Sequence, residues 1–533
     1  MKDIRHTLIS LLLLLLSAGA TNVFAQQDAE EQFKIAVRYE DGDSVEQDYK
    51  KAFEWYEKAA SQGHAEAQAR LGAYYFDGQG VEQDQKKAVE FFVKSADQGN
   101  ALGQYFLGFC YLNGLSVEQD LKKAYELFVK SADQGNAKGQ SFLGTCYLNG
   151  DGVEQDLKKA YELFVKSAEQ EDEMGQNFLG VCYLNGAGVE QDLKKAYEMF
   201  VKSADQEYEL GQNNLGLCYE NGCGVEPDMK KAFEWFEKAA NQGYAVAQFN
   251  IARCYAEGKG VEQDLKKAVE WAEKAAGQGH AEAQNYLGVC YEHGNGVEQD
   301  QKKAAECYEK AANQGSLQAQ SNLGLCYCNG RGVEQDFKKA VEWYEKAASQ
   351  GHVEAQNFLG VCYERGYGVE QDFKKAAEWY EKAASQGHAE AQNNLGLYYL
   401  DGRGVEQNFK KAFECFEKAA SQGHVIGQFN FGLCYLNGDG VEQDLKKAVE
   451  WIEKSANQGY APGQFKLGLC YYYGKGVEKD MKKAVEWFEK AANQGHPQAQ
   501  LNLSGFYEYG EGVEKDLEKA AYWKKKYEEN PNK

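Results

Sequence analysis

The sequence predicts an all-α protein, a solenoid of fourteen 36-residue helix-turn-helix repeats. Three observations predict it. The tetrapeptide Val-Glu-Gln-Asp, or a near copy, begins at Val45 and recurs every 36 residues as far as Val513, with no insertion between copies. Every copy has Tyr six residues before that Val, from Tyr39 to Tyr507, and Ala seven residues after it, from Ala52 to Ala520. Four Pro and 57 Gly in 533 residues suit helices broken by tight turns.

The first 25 residues fall outside the period. Lys2 and Arg5 precede an apolar run from Leu8 to Leu16 and small residues from Ser17 to Ala20, the pattern of a cleavable secretory signal peptide, with cleavage expected near Ala25. That run is short for a membrane span and no other segment is apolar for its length. The mature chain is therefore expected to be secreted or periplasmic, with no membrane span. Removing Lys2, Asp3 and Arg5 with the signal takes the formal net charge from −23 to −24. So acidic a body repels nucleic acid, and a protein or peptide partner of neutral or basic character is expected.

Repeats start near residues 28, 64, 100, 136, 172, 208, 244, 280, 316, 352, 388, 424, 460 and 496, and the array ends at 531, leaving 532–533 as a tail. Positions within a repeat are counted from 1 at these residues. In the copy that starts at His64, Leu71 and Tyr75 lie four apart and predict a first helix over 65–75. Gly78 and Gly80 end it. Asp84 offers an N-cap oxygen to a second helix running to about Asp97, with Ala88, Phe91, Phe92 and Ala96 facing inward and Lys86, Lys87, Glu90 and Lys94 outward. Helices of about 13 residues are marginal alone in water, so each pair must be covered by its neighbours. Gly72 sits mid-helix, where it costs about 1 kcal/mol relative to Ala; close approach of a neighbouring helix is the expected reason. Glu171 and Glu207 replace the glycine that ends other copies, and a reshaped turn is expected there.

Leu71-Gly72, Tyr75, Gly78-x-Gly80-Val81, Asp84, Lys87-Ala88 and Lys94-x-Ala96 resemble the Sel1-like repeat, a relative of the tetratricopeptide repeat, over essentially all of residues 28 to 531. The resemblance implies a right-handed α/α solenoid with the first helices on its concave side, and a role in protein assembly and signalling rather than catalysis. Secreted cysteine-rich members bridge each helix pair at positions matching Ala60 and Gln68, where this chain has no Cys.

Ten of the fourteen Cys, from Cys110 to Cys470, occupy one repeat position just before the recurring Tyr, and they are expected to be small buried packing residues. Equivalent positions in stacked pairs lie beyond disulfide reach. Cys307 and Cys415 replace the Trp of other copies and are expected in the core; Cys218 with Cys223, or Cys290 with Cys307, are the pairs that could meet within one repeat. Six His, at 64, 280, 352, 388, 424 and 496, alternate with Asn100, Asp172 or Ser316 at position 1, which describes a helix start rather than a metal ligand. No His-Glu-x-x-His, P-loop or Gly-x-Ser-x-Gly is present, so no catalytic residue, metal or cofactor is expected. A β-lactamase or penicillin-binding activity described for some secreted relatives stays open as an alternative, although Ser-x-x-Lys, Ser-Asp-Asn and Lys-Thr-Gly are absent. A structural surface component is a third reading.

The candidate partner-binding residues vary while the core stays fixed. Positions 6 and 7 hold Asn177, Asn213, Asn250, Asn285, Asn322, Asn357, Asn394 and Asn430, interleaved with Phe249, Phe429 and Phe465; Leu397 and Leu433 lie one turn further. An amide can pair with both N–H and C=O of an extended peptide. The expectation is an exported scaffold whose first helices form a groove with an apolar floor and amide rungs. The alternative is that the Phe and Leu only pack the array and the Asn are surface residues.

Overall fold

In the computed structural model, residues 28–531 are described; the signal segment, the cleavage site near Ala25 and the 532–533 tail lie outside the described residues. Among the described residues there are twenty-eight helices and no strand. Helix α1 covers 28–41, followed by α2 (Tyr49–Ser61), α3 (Ala65–Asp77) and α4 (Gln85–Asp97), and the pattern repeats to α27 (Pro497–Tyr509) and α28 (Leu517–Glu528). Odd-numbered helices are the first helices of repeats and even-numbered ones the second. The chain divides into two compact units between Ala275 and Ala276.

Local chemistry sets the helix boundaries. Asp84 Oδ1 accepts from the backbone N–H of Lys87 at 3.1 Å and starts α4. Gly78 ends α3 in the left-handed conformation, at φ 72°. The mid-helix glycine follows from packing: a Cβ on Gly72 would lie 2.5 Å from Cε1 of Phe92, and one on Gly108 2.7 Å from Cε1 of Phe128. The close approach is thus made by the aromatic ring of the second helix in the same repeat. In α4 the buried residues are Ala88, Val89, Phe92 and Ser95, while Phe91 and Ala96, expected inward, are half-buried.

At four successive junctions of the first unit, stacking rests on an interlock between Ser at position 32 and Gly at position 4 of the next repeat, whereas Ala59 with Ala67 and Ala239 with Ala247 are Ala pairs. Ser95, Ser131, Ser167 and Ser203 are buried, and a Cβ on Gly103, Gly139, Gly175 or Gly211 would fall on the corresponding Oγ. Ser131 Oγ donates to the carbonyl of Ala101 at 2.7 Å, tying the second helix to the start of the first helix of the same repeat. In the second unit the same two positions are mostly Ala with Ala, as at Ala347 and Ala355, both fully buried.

Among the described residues the Cys form no disulfide, and the ten at the common position are buried. Burial pushes the Cys110 thiol up to about 11, which leaves little thiolate at neutral pH. Cys307 and Cys415 are half-buried, as are Trp235 and Trp343 at the same position, which makes it a rim there; Trp523, in the last repeat, is buried. A lysine ammonium covers the two rim rings: Lys238 Nζ lies 3.6 Å from the centroid of Trp235, and Lys346 Nζ 3.7 Å from that of Trp343. Glu171 and Glu207 also depart from expectation. Both keep a left-handed turn, at φ 62°, and Gln206 Nε2 and Gln242 Nε2 donate to their carbonyl oxygens at 2.8 Å from the next repeat.

Candidate functional site

Positions 6 and 7 are neighbours on one helix, so about 100° separates their directions. Position 6 turns inward: Asn177, Asn213 and Asn357 are buried, while Asn285, Phe249, Phe429 and Phe465 are half-buried. Position 7 turns toward the open side. Asn322, Asn394 and Asn430 are half-buried there, but Asn250 is buried. Leu397 and Leu433, one turn on, are half-buried.

The asparagines bind one another across repeats. Nδ2 of Asn214 donates to Oδ1 of Asn177 at 2.8 Å, and Nδ2 of Asn250 to Oδ1 of Asn213 at 2.9 Å. In the second unit Asn322 donates to Asn285 at 3.0 Å and Asn430 to Asn393 at 2.8 Å. Each pair is 37 residues apart, because position 7 of one first helix stacks over position 6 of the one before. The row of free amide rungs is therefore corrected: Asn177, Asn213, Asn250 and Asn357 belong to the interior seam. An amide carries two N–H donors and an acceptor oxygen, so Asn430 keeps one N–H and Oδ1 for other partners, while Asn322, whose Oδ1 accepts from Gln318 Nε2 at 3.3 Å, keeps one N–H. Asn357 Oδ1 is buried without a hydrogen-bond partner.

A second constellation escaped the sequence reading. Tyr at position 29 donates its buried hydroxyl to Glu at position 13 of the same repeat: Tyr308 to Glu292 and Tyr380 to Glu364, each at 2.7 Å, and Tyr56 to Glu40. Burial and the carboxylate together push these hydroxyls well above the usual tyrosine range. Arg331 Nη1 also donates to Glu292 at 3.2 Å, so this carboxylate is neutralised by an ion pair. The available signal was co-occurrence, since Glu40, Glu292 and Glu364 share their repeats with Tyr56, Tyr308 and Tyr380.

The position-1 histidines are N-caps: Nδ1 of His64, His352 and His424 accepts from the N–H of Ala67, Ala355 and Gly427 at 3.0 to 3.3 Å. Among the described residues no three His, Cys, Asp or Glu are grouped to hold a metal ion, and no helix is long and apolar enough to cross a membrane.

Helix pairs of this length, stacked through fixed small-residue contacts, define an α/α repeat solenoid. The Sel1 repeat family model matches fourteen successive segments, from 32–64 and 65–100 through to 461–496 and 497–526, so the chain belongs to the Sel1 repeat family. Among solved structures it is similar to a protective antigen present in uropathogenic Escherichia coli strains that displays an SLR fold, at 34% identity over 83% of this chain and 94% of that one, with a TM-score of 0.61. It is also similar to a Sel1 repeat protein from Oxalobacter formigenes, at 32% identity over 46% of this chain and 96% of that one, with a TM-score of 0.43. Comparison with curated proteins finds no match.

Proposed function

We propose that this chain is an exported, non-catalytic scaffold that holds a protein or peptide partner on the face of its first helices. The observation that carries the reading is the set Asn322, Asn394 and Asn430 with Leu397 and Leu433, half-buried amides beside half-buried leucines. Asn322 and Asn430 are each held by one N–H, so they are fixed before a partner arrives, and binding loses less side-chain entropy. Membership of a family of interaction scaffolds supports the same reading. The net charge of −23 favours a neutral or basic partner, and export rests on the segment from Lys2 to Ala25.

Two measurements test it. Sequencing of the protein recovered from the exporting cell is expected to begin at Gln26; a chain that retains Met1 removes the export claim. With a partner identified by proximity labelling, titration calorimetry of Asn394→Ala combined with Asn430→Ala and Leu433→Ala is expected to show affinity weaker by about tenfold or more, roughly 1.4 kcal/mol. An unchanged Kd rejects this face.

A further inference from the structure

The end of the second unit carries a cleft unlike the rest of the array. Its volume is about 370 Å³, within the range of small-ligand sites, and it lies between α27 and the first helix before it, α25 (Ala461–Tyr473). Its floor is Gly505. The two preceding repeats have Leu433 and Leu469 at that position, and a Cβ on Gly505 would meet nothing within 4 Å. Unlike Gly72, this glycine is required neither by packing nor by a positive φ. It accepts the helix cost of about 1 kcal/mol relative to Ala, and what it leaves is depth.

The walls have a definite chemistry. Tyr473 and Tyr509 are 62% and 72% exposed, the most exposed large hydrophobic side chains described, and Leu501 beside them is 40% exposed. Asn502 stands at position 7, where its counterparts Asn322 and Asn430 donate to an asparagine 37 residues earlier. For Asn502 that residue is Phe465, which offers no acceptor, so its amide keeps both N–H donors and its oxygen. Glu511 adds a carboxylate at the rim.

We propose that this cleft is a carbohydrate site for a neutral pyranose oligosaccharide. A pyranose presents C–H faces that lie on aromatic rings and hydroxyl edges that need paired donors and acceptors. Tyr473 and Tyr509 supply the rings; the Asn502 amide supplies both donor and acceptor, and Glu511 accepts from hydroxyls. The Glu511 carboxylate, on a chain of strongly negative charge, disfavours acidic sugars. A peptide anchored only by an apolar side chain would leave the Asn502 amide and the Glu511 carboxylate without partners. The site goes beyond the scaffold reading and stands without it.

Calorimetric titration of the mature chain with chitotriose and maltotriose tests the proposal, with trigalacturonate and a leucine-containing pentapeptide as the contrasting probes. At least one neutral trisaccharide is expected to bind one site with Kd of about 1 mM or tighter. Gly505→Leu, which fills the floor and favours the helix, is expected to weaken that binding about tenfold or more with an unchanged circular-dichroism melt. Tyr509→Ala, on the open rim, is expected to weaken it in the same direction. Absence of binding by both neutral sugars at about 10 mM, full affinity retained in Gly505→Leu, or binding of the pentapeptide or trigalacturonate in place of the neutral sugars would each overturn it.

Discussion

The hydroxyl of Tyr380 donates to Oε2 of Glu364 at 2.7 Å, joining the two helices of one repeat across sixteen residues of chain. One repeat earlier Tyr344 occupies the same place, but Cys328 stands where the glutamate would be, and the buried Tyr344 hydroxyl has no partner. A buried hydroxyl without a partner costs about 1 to 3 kcal/mol, whereas a paired one is neutral or favourable. Tyr344→Phe is therefore expected to stabilise its repeat by about 1 kcal/mol, and Tyr380→Phe to destabilise its own by about 1 kcal/mol by removing the bond to Glu364. Native-state hydrogen exchange of the helices Phe337–Ser349 and Phe373–Ser385 reads each repeat separately. Equal losses of protection in the two variants would remove the explanation.

What was legible in the sequence was whatever repeats in register. Helix boundaries, caps, buried cysteines and the mid-helix glycine recur every 36 residues, so each is confirmed many times over within one chain. What was hidden runs between registers. Asn177 pairs with Asn214 and Asn213 with Asn250, one residue off the period, and the offset depends on how far one first helix is displaced over the next. The direction of positions 6 and 7 was equally hidden, since adjacent residues differ by a third of a turn and both vary in type. Counting asparagines at a separation of 37 would have exposed the seam. The Trp position read as core because large apolar residues fill it, yet at Trp235 and Trp343 a lysine ammonium over the ring is what shields it.

The serine–glycine interlock predicts a compensating pair. Gly139→Ala places a methyl on Ser131 Oγ and is expected to destabilise the array by about 1 to 3 kcal/mol, as overpacking does. Ser131→Ala alone removes the bond to the Ala101 carbonyl and is expected to cost about 1 kcal/mol. Together they recreate the Ala347 and Ala355 arrangement, so the double variant is expected to be more stable than Gly139→Ala by itself. A double-mutant cycle on thermal unfolding gives the coupling; strictly additive losses would contradict the interlock.

Glu171 holds a left-handed backbone that glycine adopts freely. Glu171→Gly is expected to raise stability by about 1 kcal/mol, part of the roughly 1 to 2 kcal/mol by which a side chain disfavours that conformation, and Glu207→Gly to act alike. The bonds from the Gln206 and Gln242 side chains survive both changes because at residues 171 and 207 they use only the backbone carbonyl. Melting curves of the single and double variants decide it, and a lower midpoint in either would show that these carboxylates contribute something the turn geometry does not require.

The histidine caps make the second unit acid-sensitive. Nδ1 of His352, His424 and His496 accepts a backbone N–H, which only a neutral ring can do. Burial lowers the pKa of His280, His352, His424 and His496 below the usual histidine value, outweighing Glu282, Glu354 and Glu390, which act the other way on the first three. The unfolded chain, titrating near 6.5, then binds protons before the folded one does. Stability from these caps is complete above about pH 6.5 and is lost as pH falls through the lowered folded values. The thermal midpoint is expected to drop between about pH 7 and pH 5.5, by an amount reflecting roughly 1 kcal/mol per cap lost. Asn caps the equivalent helix at Asn100 without titrating, with Oδ1 accepting from Gly103 at 2.9 Å. Replacing the four histidines by Asn should therefore flatten this part of the pH profile. A quadruple variant with the same acid slope as the unaltered chain would place the sensitivity elsewhere.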